Sequence, residues 1–197
     1  MKKLLMTLIL ISSVVLSANA QVIIKPAIGL NLTTFSSDLP THEIDGRLGW
    51  QLGGTIAIGD EFYVEPGIFW VKNNWKLTES VTAANLKFDN DISSLRIPVY
   101  VGWNVVGDPD DDRNFHIFAG PSAMIVTSVN NGDAGIVEDD FNKFLWGANI
   151  GAGLSIGKIF VDVGYEWGLN KIYKTEGFGD TKYRSLWINA GFRLTFL

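Results

Sequence analysis

From residue 22 onward the chain alternates. In eight segments, near 22–33, 46–58, 62–75, 92–105, 114–127, 142–156, 159–170 and 183–197, apolar residues take turns with polar residues or glycine. A period of two marks a strand with two unlike faces, because successive side chains leave an extended backbone on opposite sides. In 46–58, Leu48, Trp50, Leu52, Gly54, Ile56 and Ile58 share one face, and Arg47, Gly49, Gln51, Gly53, Thr55 and Ala57 the other. Alternate residues over 24–32, 48–58, 62–70, 95–103, 115–125, 144–156, 161–169 and 186–196 make 45 positions. They carry no charge, no amide and one hydroxyl, the phenol of Tyr165. The opposite parity is polar in every segment, with Lys25, Arg47, Glu65, Arg96, His116, Asn149, Asp162 and Arg193 among its members. No apolar run in this region reaches the roughly 18 residues of a membrane helix, and no stretch keeps a helical period. The expectation is an all-β chain of eight antiparallel strands closed into an up-and-down barrel.

Two barrels suit such strands: a soluble one with its apolar face inward, and an outer-membrane one with that face toward lipid. Volume separates them. An eight-stranded barrel has room for few interior side chains, so a face rich in Leu, Ile, Phe and Trp does not fit inside. The other face has glycine at 49, 53, 67, 102, 120, 147, 151, 153, 164, 168 and 191. That is too sparsely charged for a water-facing surface but suits a crowded interior.

The connections agree with the lipid-facing reading. IGDEF (58–62) and IGKI (156–159) are tight turns, and GDPDDDRN (107–114) is a short acidic one. The segments near 34–45, 76–91, 128–141 and 171–182 are long and polar. An even strand number puts both termini on the short-turn, periplasmic side and the long loops outside. Trp50, Trp70, Trp146 and Trp167 then mark the long-loop ends of their strands, and Trp103, Phe115 and Phe196 the short-turn ends. This predicts two aromatic girdles around an apolar band.

Residues 1–20 have the build of a cleaved export signal. Lys2 and Lys3 precede an apolar stretch over 4–16, and Ala18-Asn19-Ala20 forms a small-x-small cleavage site. The expected mature domain is 21–197, with 14 basic and 21 acidic residues and a formal charge of −7. No cysteine is present, which excludes a lipoprotein anchor, a disulfide framework and any cysteine-ligated metal. The acidic balance excludes a basic nucleic-acid binder. A Gram-negative outer membrane is the expected location.

LNLTTF (30–35), FYVEPGIFW (62–70), LRIPVYVGW (95–103), FHIFAGPSA (115–123), FVDVGYEWGLNKIY (160–173) and WINAGFRLTFL (187–197) together resemble the PorT-like outer-membrane β-barrel family, in order along the whole mature chain. The resemblance implies a small barrel of the OmpA/OmpX type and supplies no catalytic residues. Asn189, Gly191, Leu194 and Phe196 also read as an assembly signal, with Leu197 standing after the final Phe.

Candidate chemistry is thin. GAGLSIGK (151–158) lacks the glycine a phosphate loop needs at 152, and Ile159 stands where Ser or Thr would hold magnesium. Asp108, Asp110 and Asp112 have calcium-loop spacing, but Arg113 occupies the glycine position and Ala119 the final glutamate. Asn31-Leu32-Thr33 matches a glycosylation acceptor but lies at a strand end. His42 with Asp38, Ser36 or Ser37 could be imagined as a lipid-modifying site, although loop polarity accounts for the same residues. No motif calls for a cofactor or metal.

The interior charges are more informative. Lys25, Arg96 and Arg193 point inward with Glu65, Asp162 and Glu166, three against three. Charges persist in such a place when paired and hydrogen-bonded. They predict a plug of ion pairs, with Arg96 on Glu65 or Glu166, helped by inward Tyr63, Phe69, Tyr100, Phe118 and Phe160. The alternative is a narrow gated path. The expected protein is a non-enzymatic barrel whose partners are outer-membrane lipid, the barrel-insertion machinery and an envelope or extracellular protein. The rival functions are an accessory subunit of an envelope secretion or assembly machine, a narrow channel and a lipid-modifying enzyme.

Overall fold

A computed structural model of the chain describes residues 21–36, 43–81, 84–107, 111–131, 142–172 and 182–196. Residues 1–20, expected as a leader, Asp108 and Asp110, and the His42 cluster lie outside the residues whose side chains are described. The strands are β1 (Val22–Ser36), β2 (Glu43–Gly59), β3 (Phe62–Val81), β4 (Ala84–Val106), β5 (Arg113–Asn131), β6 (Phe144–Ile156), β7 (Ile159–Gly168), β8 (Lys182–Phe192) and β9 (Leu194–Phe196). From β1 to β8 each pairs antiparallel with its neighbour in sequence, and β1 closes the ring by pairing with β2 on one side and with β8 and β9 on the other.

β8 and β9 form one stave. Ala27 lies opposite Gly191 and Ile24 opposite Leu194, so a single register runs through both. In that register Pro26 faces Phe192. Proline has no N–H for the ladder, which accounts for the break there. The result is a closed eight-stranded antiparallel barrel, as the alternation predicted.

Its faces are reversed relative to a soluble protein. Ile28, Val101, Leu154 and Ile150 are 62%, 60%, 57% and 53% exposed on the outside, while Lys25, Glu65, Arg96, Asp162 and Glu166 are at most 5% exposed within. Water tolerates no continuous apolar face of this extent on a monomer; a hydrocarbon layer does. Backbone closure is equally required there, because lipid offers no hydrogen bonds to a strand edge.

At the short-turn end the chain reverses at Gly59, Gly107 and Gly157, all with positive φ, including +56° at Gly157 in the two-residue turn between Ile156 and Ile159. At the other end one expectation fails. Segment 76–91 was expected as a loop, but β3 and β4 stay paired up to Val81 opposite Ala84, leaving only 82–83 between them. A hairpin standing in water needs no apolar face, so alternation does not reveal it.

Inside, large rings stand directly across from glycines. Tyr63 faces Gly102, Phe69 faces Gly53, Phe118 faces Gly151, and Phe160 and Trp187 face Gly191 and Gly164. A Cβ on Gly102 would overlap the Tyr63 ring, and one on Gly164 the Trp187 ring. The glycines are the room in which the rings lie.

Candidate functional site: the paired interior

The strand periods bring the six predicted charges inside, and the register sorts them into two groups at different depths. Near the short-turn end, Lys25 of β1 reaches Asp162 of β7 at 2.8 Å and Glu65 of β3 at 3.1 Å, and its ammonium lies 4.5 Å from the centre of the Phe160 ring. Thr55 donates to Glu65. His116, on β5, brings Nε2 to 2.9 Å from the second oxygen of Asp162. Its Nδ1 lies 3.0 Å from Asn114 Oδ1, and the Asn114 amide nitrogen donates to Asn104 and to the Gly107 carbonyl. Arg193 lines the same small cavity, of about 30 Å³, together with Lys25, Glu65 and His116.

Deeper toward the long loops, Arg96 of β4 pairs with Glu166 of β7 at 3.1 Å. Glu65, the other partner expected for it, is taken by Lys25. The reason is register. Arg96 stands opposite Phe69, and Glu65 opposite Tyr100 further down the wall. Glu166 also accepts from Ser122 and from Tyr183 at 2.9 Å, and Asn149 donates to Ser122 at 3.0 Å. The Arg96 guanidinium carbon sits 5.2 Å from both the Phe69 and the Trp187 ring centres, within cation–π range. Its Nε and Nη2, and both amide atoms of Asn31, have no hydrogen-bond partner.

An aromatic layer separates the groups. Tyr100 and Phe118 have centroids 4.9 Å apart, Phe118 stacks on Trp187 at 5.8 Å, and Tyr100 stacks on Trp187 at 6.3 Å. A second cavity, toward the long loops, is lined by Arg96, Glu166, Asn31, Thr33, Asn73, Tyr183, Ser185 and apolar side chains, and it shares no lining residue with the first.

Sequence reasoning placed the six charges, put His116 and Asn149 on the same inner face without partners, and left out Ser122, Tyr183 and Trp187. Inward parity was available for each; the partner was not. The remaining expected positions fall as follows. Trp50, Trp70, Trp103, Trp146, Trp167 and Phe196 are exposed on the outside, and Phe115 is half-buried. Phe62 stacks on Trp103, Phe144 meets Trp146 edge-on, and Tyr165 meets Trp167 edge-on, which thickens both belts. Asn189 is buried and accepts from Gln51, Gly191 makes room for Phe160, and Leu194 and Phe196 turn outward on β9. The 151–158 segment is the end of β6 and a turn, and Asn31 is buried within β1. Among the described residues no cluster of three or more His, Asp or Glu is arranged to hold a metal.

Residues 18–174 match the model of the outer membrane protein beta-barrel domain family. Among curated proteins none matches the chain significantly. Among solved structures, the outer membrane protein OprG from Pseudomonas aeruginosa is 14% identical, with 90% of this chain and 96% of that one covered and a TM-score of 0.60. Ail, the attachment invasion locus protein of Yersinia pestis, crystallised with the heparin analogue sucrose octasulfate, is 13% identical over 90% and 100% of the two chains, TM-score 0.42. Neisserial surface protein A is 11% identical over 89% and 97%, TM-score 0.46. At these values the OprG likeness speaks to the fold alone, and the other two carry no further weight.

Proposed function

The chain belongs to the outer membrane protein beta-barrel domain family, and on that premise we propose that it is a closed, non-enzymatic barrel that acts at its long-loop end as a structural or surface-interaction protein. The aromatic layer of Tyr100, Phe118 and Trp187, lying between two cavities with no lining residue in common, carries this reading. Ions crossing the barrel would have to part those rings and the Arg96–Glu166 pair beside them. What remains for contact with other molecules is the outer rim, in a chain of formal charge −5. The reading includes export by the 1–20 leader, anchoring by the Trp50, Trp70, Trp146 and Trp167 belt and its short-turn counterpart, and recognition of Asn189, Gly191, Leu194 and Phe196 by the barrel-insertion machinery. The PorT-like branch is the finer family assignment it favours.

Planar-bilayer recording of the refolded protein is the test of closure, with a lipid-level baseline expected. Steady unit conductance would overturn the plug and favour the gated path. Cross-linking from intact outer membranes should capture a partner through loop residues rather than through the lipid-facing wall.

A further inference from the structure

The outer wall is not even. Along β5 the outward column reads Arg113, Phe115, Ile117, Ala119, Pro121 and Ala123. The register sets Ala119 directly between Val101 of β4 and Ile150 of β6, so a single methyl group stands between two branched side chains. The result is a furrow of about 330 Å³, walled by Val101, Ile117 and Ile150 and ended on the short-turn side by the stacked Phe62 and Trp103. Gly102 and Gly151 line it as well. They belong to the inner face and carry no side chain, so the sheet itself is the floor. The two interior cavities hold about 30 Å³ each; the furrow, by contrast, falls within the size range of ligand sites.

Shape selects the occupant. Neighbouring strands lie about 4.8 Å apart, so a gap one column wide admits an extended hydrocarbon chain. A helix, about 10–12 Å across with its side chains, is too wide to reach the floor, and the convex wall of a second barrel meets only the ridges. Charge at the short-turn end selects the headgroup. Arg113 is exposed at the foot of the β5 column, just beyond Phe115. Glu61, also exposed, brings Oε1 to 3.4 Å from Trp103 Nε1 at the end of the furrow. A guanidinium fork matches a phosphate, and a carboxylate matches an ammonium that still carries N–H groups. Glu61 and the exposed Asp112 beside Arg113 oppose a headgroup of net negative charge.

We propose that the furrow is a phospholipid site. One acyl chain lies over Ala119 between Val101 and Ile150, the phosphate meets Arg113, and a primary-ammonium headgroup, as in phosphatidylethanolamine, meets Glu61. The inference rests on the lipid-facing outer wall of the preceding reading and does not depend on whether the lumen is closed.

The test is native mass spectrometry of the full mature barrel, released from nanodiscs made of equal parts of palmitoyl-oleoyl phosphatidylethanolamine, phosphatidylcholine and phosphatidylglycerol. The choline lipid shares the phosphate but has no N–H donor, and the glycerol lipid has no cation. The ethanolamine lipid should be retained about fivefold over either, the upper end for an exposed ion pair. Glu61→Gln should erase that preference. Arg113→Gln should cut retention of all three lipids about fivefold, and Ala119→Phe, which fills the furrow, should abolish it. Equal retention of the three by the unchanged protein, as for lipid that merely surrounds the barrel, overturns the proposal. So does a preference that persists in Glu61→Gln, retention that Arg113→Gln or Ala119→Phe leaves unchanged, or a dimer in place of the lipid. The headgroup comparison needs no variant and stands even if the substitutions hinder folding. Heat-modifiable gel migration of the same sample keeps the two readings apart: a folded barrel that retains no preferred lipid refutes only the site, whereas a chain that never enters the nanodisc refutes the lipid-facing wall.

Discussion

The most direct test of the interior is to remove Arg96. Glu166 is fully buried, and Arg96 at 3.1 Å is the cation that pairs with it. Arg96→Met keeps much of the volume between Phe69 and Trp187 but leaves the carboxylate without its counter-charge. Breaking a buried pair from one side costs about 3–5 kcal/mol, and the donors Ser122 and Tyr183 put the expected value at the lower end. Glu166→Gln alone strands the guanidinium at a similar cost. Combining the two removes both charges, and a glutamine can still accept from Ser122 and Tyr183. The double variant should therefore lie within about 1–2 kcal/mol of the parent, a coupling of about 4–5 kcal/mol. Urea titration of barrels refolded in lipid vesicles, followed by tryptophan fluorescence, measures all four proteins. Glu65→Gln provides the contrast: since Glu65 binds Lys25, its cost should add to that of Arg96→Met. Coupling below about 0.5 kcal/mol between Arg96 and Glu166, or strong coupling between Arg96 and Glu65, would refute this layout of the interior.

Three further outcomes follow from the walls and the seam. Arg at Val99, Ile150 or Val163, each exposed on the outer face, should cost about 2–4 kcal/mol by the same titration; free tolerance at all three would mean that the face meets water. Gly102→Ala should cost about 1–3 kcal/mol through collision with the Tyr63 ring and much less in a Tyr63→Ala background, whereas equal costs in both backgrounds would deny that the glycine makes room for the ring. Deleting residues 194–197 removes the pairing of β9 with Val22–Ile24 and should give a protease-sensitive chain whose gel migration no longer changes on heating; normal heat-modifiable migration would show that the barrel closes without it.

The outer wall was readable in the sequence because lipid imposes one rule on every outward position, and period two says which positions those are. The interior follows no single rule. Parity placed Arg96 and Glu65 on the inside together, but depth depends on register, and register put Phe69 opposite Arg96. The true partner, Glu166, lies across the lumen, at a distance that no local spacing encodes. His116 was placed on the inner face but outside the ion-pair network for a different reason: a residue counted as neutral falls out of a charge balance, and only its place beside Asp162 shows that it belongs there. The ring–glycine pairs lie between these cases. Both residue types were visible on the inner face, and their pairing emerged only once strands were matched residue by residue.

The β3–β4 hairpin gives the rim a tall side. Beyond Trp70, β3 runs on to Val81 with β4 paired to it throughout. At about 3.3 Å per residue and a tilt near 40°, those residues carry the tip roughly 25–30 Å above the tryptophan belt. Among the described residues, the paired end at Val81 and Ala84 therefore stands farthest from that belt. A paired ribbon also loses far less freedom on being caught than a loose loop of equal length. The mast sets the distance from the bilayer at which its paired end is met.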